Sequence, residues 1–465
     1  MEREWTIDGW RGLPARHQPE YPDSRRLAES LAALSRLPPL VFPGEVERLR
    51  SEIAAASEGR AFLLQGGDCV ERFIDCTPED ITNKLKVLLQ MSVILTHAAR
   101  RPVVRIGRMA GQFFKPRSEE YEDSPDGPVM TYRGDPVHAF ELSRAARTPD
   151  PSRLERGYFH AATTLNYIRA MISGGFADLH HPFSWNLHGI EHTEQWKKYR
   201  EVLESVLDAV QFMESFGGLN RDRLGSVDFF TSHEALHLDY ESSLTRFDPD
   251  TRAWYNLSAH MVWIGERTRA VGEAHVEYAR GLQNPIGVKI GPSTTPADVE
   301  ELVNRLNPDR VPGKLLLITR FGSDRVADAL PPLVERIAEL GMPVAWCCDP
   351  MHGNTRQTDG NVKTRDFDEV LRELDTTFDV HKQCDSILAG VHFEITGDPV
   401  TECTGGAIGL TEADLSRDYR SYCDPRLNYV QGIEMAFLIA EHLRADPKRP
   451  FGDAGRSIPA PERHN

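Results

Sequence analysis

Between residues 343 and 354 the sequence reads Pro343-Val-Ala-Trp-Cys-Cys-Asp-Pro-Met-His-Gly-Asn354. The part up to Cys348 is apolar and has the length of a buried strand, and the Asp349-Pro350 step cannot continue that strand. His352 follows at once, ahead of a Gly-Asn turn. The pattern indicates a buried strand that delivers a polar side chain to one end of a parallel sheet.

Short apolar runs of this kind recur along the chain and predict eight strands: Ala61–Gly67, Pro102–Gly107, Ser226–Thr231, Ala259–Gly265, Ile286–Ile290, Leu315–Thr319, Pro343–Cys348 and Ile387–Glu394. Helical patterns separate most of them, at Thr77–Arg100, Thr268–Gln283, Thr295–Leu306, Ser323–Leu340 and Asp366–Asp375, and one more follows at Asn428–Arg444. This alternation predicts an α/β fold, a (β/α)8 TIM barrel. No G-x-G-x-x-G motif follows the first strand, which disfavours an open dinucleotide-binding sheet.

The predicted barrel spans residues 56–445, and three segments are set apart from its strands and helices. Residues 1–55 are expected to form an N-terminal extension packed outside the barrel or, alternatively, a partly flexible arm. The segment between the second and third strands is too long for a loop and contains two helical patterns, so we expect a helical insertion at about residues 136–222. The charged, Pro-rich residues 446–465 are expected to be a disordered tail.

The composition bounds the possible partners. A hydrophobic fraction of 40% is ordinary for a soluble globular protein, and a net charge of −16 disfavours nucleic acid or an anionic membrane as partner. No apolar run reaches the roughly 18–20 residues of a membrane span. The start of the chain lacks the pattern of a secretory signal. The cysteine count, seven, is odd and argues for a reducing compartment, so we expect a cytoplasmic protein.

Polar residues follow the predicted strands, and one group of them has the chemistry of metal ligands. A thiol, an imidazole and two carboxylates are competent ligands of mixed softness. Each has a bland alternative, since a cysteine can be a small buried hydrophobe, a glutamate an ion-pair partner and a histidine a core residue. Because the strand ends of a barrel meet at one face, the four residues taken together favour a metal site. The four are Cys69, His352, Glu394 and Asp424.

A second group of strand-end residues is cationic: Arg108, Arg267, Lys289 and Arg320. Each taken alone could pair with a local acid such as Asp324 or Glu266, but four cations at one mouth favour a small polyanion. Lys115-Pro-Arg-Ser118 adds two cations and a hydroxyl, which suit a second phosphate. A metal beside phosphate sites points to carbonyl chemistry on phosphorylated metabolites, by aldol-type addition or by phosphoryl or enolate transfer.

Long motifs in consistent order from about residue 4 to residue 444 carry a family resemblance. They are Leu64-Gln-Gly-Gly-Asp-Cys69, Arg108-Met-Ala-Gly-Gln112, Lys115-Pro-Arg-Ser118, Tyr132-Arg-Gly-Asp135, Thr231-Ser-His-Glu-Ala-Leu236, Gly265-Glu-Arg-Thr-Arg269, Lys289-Ile-Gly-Pro292, Thr319-Arg320, Asp349-Pro-Met-His-Gly-Asn354, Phe393-Glu-Ile-Thr-Gly397 and Cys423-Asp-Pro-Arg-Leu-Asn428. On these motifs the chain resembles the type II 3-deoxy-D-arabino-heptulosonate-7-phosphate (DAHP) synthases.

The resemblance implies a reaction and a set of sites. Phosphoenolpyruvate, erythrose 4-phosphate and water would give DAHP and phosphate, the first step of the shikimate pathway and of aromatic amino acid biosynthesis. A divalent metal, Mn²⁺ before Co²⁺, Fe²⁺ or Zn²⁺, would be held by Cys69, His352, Glu394 and Asp424. Phosphoenolpyruvate would be bound by Arg108, Glu266, Arg267, Lys289 and Arg320, and erythrose 4-phosphate by Lys115, Arg117 and Ser118. Either Lys289 or Glu266 would assist proton transfer.

The resemblance also implies partners and regulation. A homodimer or homotetramer, aromatic amino acid effectors and a chorismate mutase partner are expected possibilities. Cys423 adjoins Asp424 and should therefore lie near Cys69, so we expect oxidation of this pair to inactivate the site. The alternatives to this enzyme of primary metabolism are the same reaction in secondary metabolism, a metal-dependent aldolase or lyase, and a catalytically silent regulatory barrel.

Overall fold

The computed structural model of the chain describes residues 4–176, 194–215 and 227–445. Eight parallel strands form a closed barrel in which each strand pairs with its neighbours in the chain and the last pairs with the first. The (β/α)8 prediction is therefore confirmed. The strands are β1 Phe62–Gly67, β2 Val103–Arg108, β3 Phe229–Glu234, β4 Met261–Ile264, β5 Ile286–Ile290, β6 Leu315–Thr319, β7 Val344–Cys348 and β8 Leu388–Glu394.

Helices surround this barrel and connect most of its strands. They are α1 Ser24–Arg36, α2 Pro43–Ser57, α3 Pro78–Ala99, α4 Ser152–Ser173, α5 Glu194–Ser215, α6 Leu238–Leu244, α7 Ala274–Arg280, α8 Pro296–Leu306, α9 Val326–Ala329, α10 Pro331–Leu340, α11 Phe367–Gln383 and α12 Tyr429–Ala445. None of the helices in these parts of the chain is both long enough and apolar enough to cross a membrane.

Three helix predictions need correction. The helix expected from Thr268 begins only at Ala274, because the residues before it form a 3-10 turn that carries Glu266 and Arg267. The helix expected over Ser323–Leu340 is two helices, since Pro331 has no N–H with which to continue the first. The helix expected to end at Asp375 continues to Gln383. Three two-stranded hairpins, at residues 121–130, 245–256 and 355–365, were not predicted.

The N-terminal half of the barrel interior is apolar and is closed by a helix from outside the barrel. Leu49, Ile53 and Ala56 of α2 are fully buried and join the interior residues in one cluster. The helix contacts β7, β8 and β1. The interior residues of this cluster are Leu63, Val104, Ile106, Phe230, Met261, Trp263, Leu316, Ile318, Ala345, Cys347 and Ala389. One face of α2 therefore closes the N-terminal end of the barrel interior, which leaves the opposite, C-terminal end of the strands for the site.

The helical insertion between β2 and β3 is present as α4 and α5. The α4 helix packs against α1 and α3, and α5 packs against α3 and α12. Parts of the expected insertion, residues 177–193 and 216–222, lie outside the described residues, as does the expected tail, residues 446–465. The boundaries of the predicted domains stay predictions.

Candidate metal centre and anion-binding cavity

Three of the four predicted metal ligands lie together at the C-terminal end of the barrel. Cys69 follows β1, Glu394 ends β8, and Asp424 lies in the loop after β8. One ligand atom from each lies within 4.8 Å of the other two, and Cys69 Sγ is 3.7 Å from Asp424 Oδ2. Metal–ligand bonds are about 2.0–2.6 Å long, so ligands on opposite sides of one ion can be that far apart. The donor set therefore fits a single divalent ion.

The fourth predicted ligand, His352, turns its free nitrogen towards this group. Its Nε2 is 3.1 Å from Glu394 Oε1, while its Nδ1 is 2.7 Å from Asp349 Oδ2. A carboxylate behind the ring fixes the tautomer and orientation of a metal-binding histidine. Burial lowers the pKa of His352, although Asp349 and Glu394 oppose this. Burial alone would raise the pKa of Asp349, but His352 and Lys289 hold it well below its usual range.

Lys115 lies against the ligand group. Its Nζ is 3.0 Å from Cys69 Sγ and 2.7 Å from Asp424 Oδ2, and 4.0 Å from Glu394 Oε1. Burial would lower the pKa of this lysine, but Asp424 and Cys69 raise it well above its ordinary value, so the ammonium stays charged. The sequence pointed to Lys115 as a site residue, but it did not predict that the side chain is oriented towards the ligand group.

Two buried arginines hold the Glu394 carboxylate from behind. Arg108 Nη2 is 3.0 Å from Oε1, and Arg365 Nη2 is 2.7 Å from Oε2. Burial would raise the pKa of Glu394, but His352, Arg365, Lys115 and Arg108 hold it well below its usual range. Glu394 is therefore ionised and fixed in orientation.

The loops that carry Cys69 and Asp424 are bonded to each other through buried charges. Asp68, next to Cys69, pairs with Arg426 Nη1 at 2.7 Å, and Lys84 pairs with the same carboxylate. Arg108 Nε donates to the Asp68 carbonyl at 3.0 Å. The spacing of the two ligands is thus set by ion pairs that lie outside the ligand group.

A cavity of about 210 Å³ shares its wall with the ligand group. Its charged lining holds more cations than carboxylates, which favours a polyanion. Arg320 Nη1 pairs with Glu266 Oε2 at 2.7 Å. For this arginine, the alternative of an ion pair with a nearby acid is therefore the one observed. The cations are Lys115, Arg267, Lys289, Arg320 and Lys363, and the carboxylates are Glu234, Glu266 and Asp424.

Not every predicted anion-binding residue faces this cavity. Arg108 is only 1% exposed and lies beneath it, on Glu394. Arg267 Nη2 donates to Ser118 Oγ at 2.9 Å, which brings Ser118 to the rim. Arg117 Nη1 donates to Cys423 Sγ at 3.2 Å. The Lys115-Pro-Arg-Ser118 segment therefore spreads its side chains over the ligand group, the cysteine pair and the cavity rim.

Cys69 and Cys423 are adjacent and both are free thiols. A hydrogen bond with Cys69 outweighs burial and, helped by Lys115 and Arg117, lowers the pKa of Cys423 from 9.0 to about 7. Burial, the hydrogen bond with Cys423 and Glu394 raise the pKa of Cys69 well above its ordinary value. The predicted proximity of the two sulfurs is therefore present.

A larger cavity, of about 350 Å³, also borders Cys69. Its three cations, Lys84, Arg420 and Arg426, each form an ion pair with a carboxylate in the described part of the chain. Its lining also holds three carboxylates, Asp75, Asp80 and Asp398, which balance the three cations. Because the smaller cavity has more cations than carboxylates, this larger cavity is the weaker candidate for a phosphate group.

Sequence reasoning missed Asp349, Arg365, Glu234 and Lys363. Asp349 carried a usable signal, because an Asp three residues before a candidate ligand His is placed to orient the ring. Glu234 ends a strand inside a motif that was quoted without a role. Arg365 and Lys363 lie on the hairpin at residues 355–365, which has no apolar alternation and gave no signal.

Comparisons with a family model and with individual proteins agree on one family. The family model described as the Class-II DAHP synthetase family matches residues 5–440. A Neurospora crassa protein named phospho-2-dehydro-3-deoxyheptonate aldolase is 46% identical over 469 residues, which cover 97% of this chain and 97% of that protein. A Streptomyces coelicolor protein of the same name is 48% identical over 435 residues, covering 94% and 96%. Because these matches span nearly the whole chain, the protein belongs to the class-II DAHP synthetase family.

Proposed function

We propose that this protein is a DAHP synthase that condenses phosphoenolpyruvate with D-erythrose 4-phosphate and water to give DAHP and phosphate. The observation that carries the proposal is the shared wall between the ligand group of Cys69, Glu394 and Asp424 and a cation-rich cavity. The reaction needs both parts, since an aldehyde must be polarised beside a phosphate ester that is held and then released.

The cavity residues divide by the substrate that each would bind. We assign phosphoenolpyruvate to Arg267, Lys289 and Arg320, with Glu266 orienting Arg320 through their 2.7 Å ion pair. Arg108 supports this site from beneath through Glu394. We assign erythrose 4-phosphate to Lys115, Arg117 and Ser118.

His352 is the proposed fourth ligand of a divalent ion, Mn²⁺ before Co²⁺, Fe²⁺ or Zn²⁺. When bound, such an ion supplies a Lewis acid for the aldehyde oxygen. The cations of the cavity hold the enol phosphate so that its C3 faces the aldehyde, and they offset the charge of the leaving phosphate. Water adds to C2, so phosphate leaves with cleavage of its bond to carbon.

The two residues proposed for proton transfer have different surroundings. Lys289 Nζ is 2.8 Å from Asp349 Oδ2, and burial lowers its pKa although Asp349 opposes this. A lysine with a lowered pKa gives up its proton more readily. Glu266 is instead committed to Arg320.

The wider setting that we propose is the first step of the shikimate pathway in the cytoplasm, with a homodimer or homotetramer as the active form. Aromatic amino acids and a chorismate mutase are the proposed effectors and partner. The same reaction in secondary metabolism and a silent regulatory barrel are the alternatives. The presence of all four ligand types argues against the silent barrel.

The test is turnover by metal-stripped protein given both substrates, followed as loss of phosphoenolpyruvate and release of phosphate. We expect activity to return with Mn²⁺ and to be absent in His352→Ala. His442→Ala is the matched control, because that histidine pairs with Asp375 on the surface. A folded protein that shows no turnover with any divalent ion would support the silent barrel, and phosphate release without the aldose substrate would contradict the synthase.

A further inference from the structure

Glu373 is a fully buried carboxylate of α11 that does not line the 210 Å³ cavity. No lysine, arginine or histidine of the described ranges forms an ion pair with it, yet both of its oxygens accept hydrogen bonds. Burial of a carboxylate without a cationic partner destabilises a folded protein. A buried polar network whose members are all satisfied makes the parts that it connects rigid. The partners of Glu373 therefore indicate what this carboxylate holds in place.

The two oxygens of Glu373 accept from two different loops. Oε1 accepts from the Phe321 N–H at 2.7 Å, and Oε2 accepts from Asn354 Nδ2 at 2.7 Å. Phe321 directly follows Arg320 in the loop after β6, and Asn354 is two residues beyond His352 in the loop after β7. Burial raises the pKa of Glu373 to about 7, and the N–H donors that oppose this rise belong to the same two loops. One carboxylate thus bridges the loop of a proposed phosphoenolpyruvate residue and the loop of a proposed metal ligand.

Asn354 extends the bridge to both loops. Its Nδ2 also donates to the Pro350 carbonyl at 2.8 Å, and its Oδ1 accepts from the Ser323 N–H at 2.9 Å. Both amide hydrogens and the amide oxygen are therefore used, which fixes the orientation of this side chain.

The two loops are also in direct backbone contact. A Cβ on Gly353 would lie 2.2 Å from the Gly322 nitrogen, so no side chain fits between the loops at this point. Arg320 Nη2 lies 3.5 Å from the His352 carbonyl. Because close-packed parts of a protein transmit displacements, a shift of one loop moves the other.

We propose that Glu373 is a positioning residue for both halves of the site, which holds the His352 loop and the Arg320 loop in one arrangement. This inference rests on the proposed function, from which His352 and Arg320 take their roles. Side chains that are held in place beforehand lose less conformational entropy when their ligands bind. Removal of the Glu373 carboxylate should therefore weaken metal binding and phosphoenolpyruvate binding together, although the residue lines no part of the cavity.

The test measures two dissociation constants by calorimetry, for Mn²⁺ on the metal-stripped protein and for phosphoenolpyruvate on the Mn²⁺-loaded protein. Glu373→Gln keeps the shape but replaces one acceptor oxygen by an NH₂ group, so either Phe321 or Asn354 loses its acceptor. We expect both dissociation constants to rise by about 10-fold, the low end for loss of an orienting partner. The KM for erythrose 4-phosphate should be unchanged, because the residues proposed to bind it follow β2 instead: Lys115, Arg117 and Ser118.

Thr377→Val is the matched control. Thr377 is fully buried one turn further along α11, and its hydroxyl donates to the Glu373 carbonyl at 2.7 Å. The substitution therefore removes a buried hydrogen bond of the same helix in which neither loop takes part. It should lower the Tm and leave both dissociation constants unchanged.

An exchange of the two bonded groups adds a rescue. Asn354→Asp alone sets one carboxylate against another, and Glu373→Gln alone leaves a donor without an acceptor. Glu373→Gln combined with Asn354→Asp restores one donor and one acceptor with the direction reversed, and it keeps an oxygen for the Ser323 N–H. We expect the double variant to bind both ligands more tightly than either single variant. It should bind them less tightly than the wild type, because the Pro350 carbonyl has lost its donor.

Several outcomes overturn the inference and leave the synthase proposal intact. They are unchanged dissociation constants in Glu373→Gln, loss of only one of the two affinities, an equal loss in Thr377→Val, and a double variant no better than the single ones. Where Glu373→Gln does not fold, the comparison of Asn354→Asp with the double variant decides in the same way. A wild type that binds neither Mn²⁺ nor phosphoenolpyruvate would instead refute the proposed function, and the inference with it.

Discussion

Replacement of Arg365 by methionine removes one of the two arginines behind Glu394 at nearly constant volume. Arg365 is fully buried and makes three contacts: with Glu394 Oε2 at 2.7 Å, with Thr355 Oγ1 at 2.9 Å and with the Pro425 carbonyl. The side chain therefore orients one predicted metal ligand directly and the loop of another, Asp424, through the adjacent proline.

The expected magnitude follows from these contacts. Breaking a buried ion pair by removing one partner costs about 3–5 kcal/mol, and Arg108 at 3.0 Å still compensates Glu394, so we expect the low end. The unpaired Pro425 carbonyl adds about 1 kcal/mol. The free energy of unfolding should fall by about 4 kcal/mol in total. Loss of an orienting partner should also weaken metal binding by about 10-fold to 100-fold.

Denaturant unfolding and calorimetric titration with Mn²⁺ measure the two effects. Arg356→Met is the control, because Arg356 lies on the same hairpin in an exposed pair with Glu412 at 2.6 Å and should change stability by about 0–1 kcal/mol. An Arg365→Met protein that binds Mn²⁺ as tightly as the wild type would refute the orienting role. Unchanged stability would refute the assigned ion-pair energy.

Three further predictions concern other parts of the molecule. Peroxide should inactivate the enzyme, thiol and metal should restore it, and Cys423→Ser should be resistant; equal sensitivity of that mutant would exclude a disulfide with Cys69. Burial lowers the pKa of Lys314 from 10.5 to about 7. Between pH 7 and pH 10.5 the unfolded chain therefore binds more protons at this lysine than the folded chain does, and the destabilisation of the folded state by Lys314 is largest below pH 7. Lys314→Met should therefore raise Tm more at pH 6 than at pH 10, and a gain independent of pH would contradict this. Ile53→Ala should lower the free energy of unfolding by about 2–5 kcal/mol without changing metal affinity, since Ile53 is fully buried at the opposite end of the barrel.

The barrel could be predicted because its strands are buried on both faces. Leu315–Thr319 and Ile286–Ile290 are short buried runs, apolar apart from Thr319 and Lys289, and their predicted and observed bounds agree. Parallel strands end at one face, so the polar residues after them were expected together, and Cys69, Glu394 and Asp424 lie together.

The directions of the side chains could not be predicted in the same way. A strand end gives the position of Lys115 or Arg108 on the face of the barrel, but neighbouring charges decide which way an ammonium or a guanidinium points. Arg365 was out of reach for a different reason, since a polar hairpin inside a loop has no apolar period to mark it. The α2 helix was expected outside the barrel because an amphipathic segment does not say which apolar surface will cover it.

The position of α2 also constrains the order in which the chain can fold. Leu49 and Ile53 leave the ribosome long before β7 and β8, yet the surface that buries them includes both of these strands. Contacts between such distant parts of a chain form slowly, and apolar residues that wait for them are exposed to aggregation. The α2 helix can therefore be fully buried only when the last strand has closed the barrel, so a nascent chain that stops before β8 leaves part of its apolar face exposed.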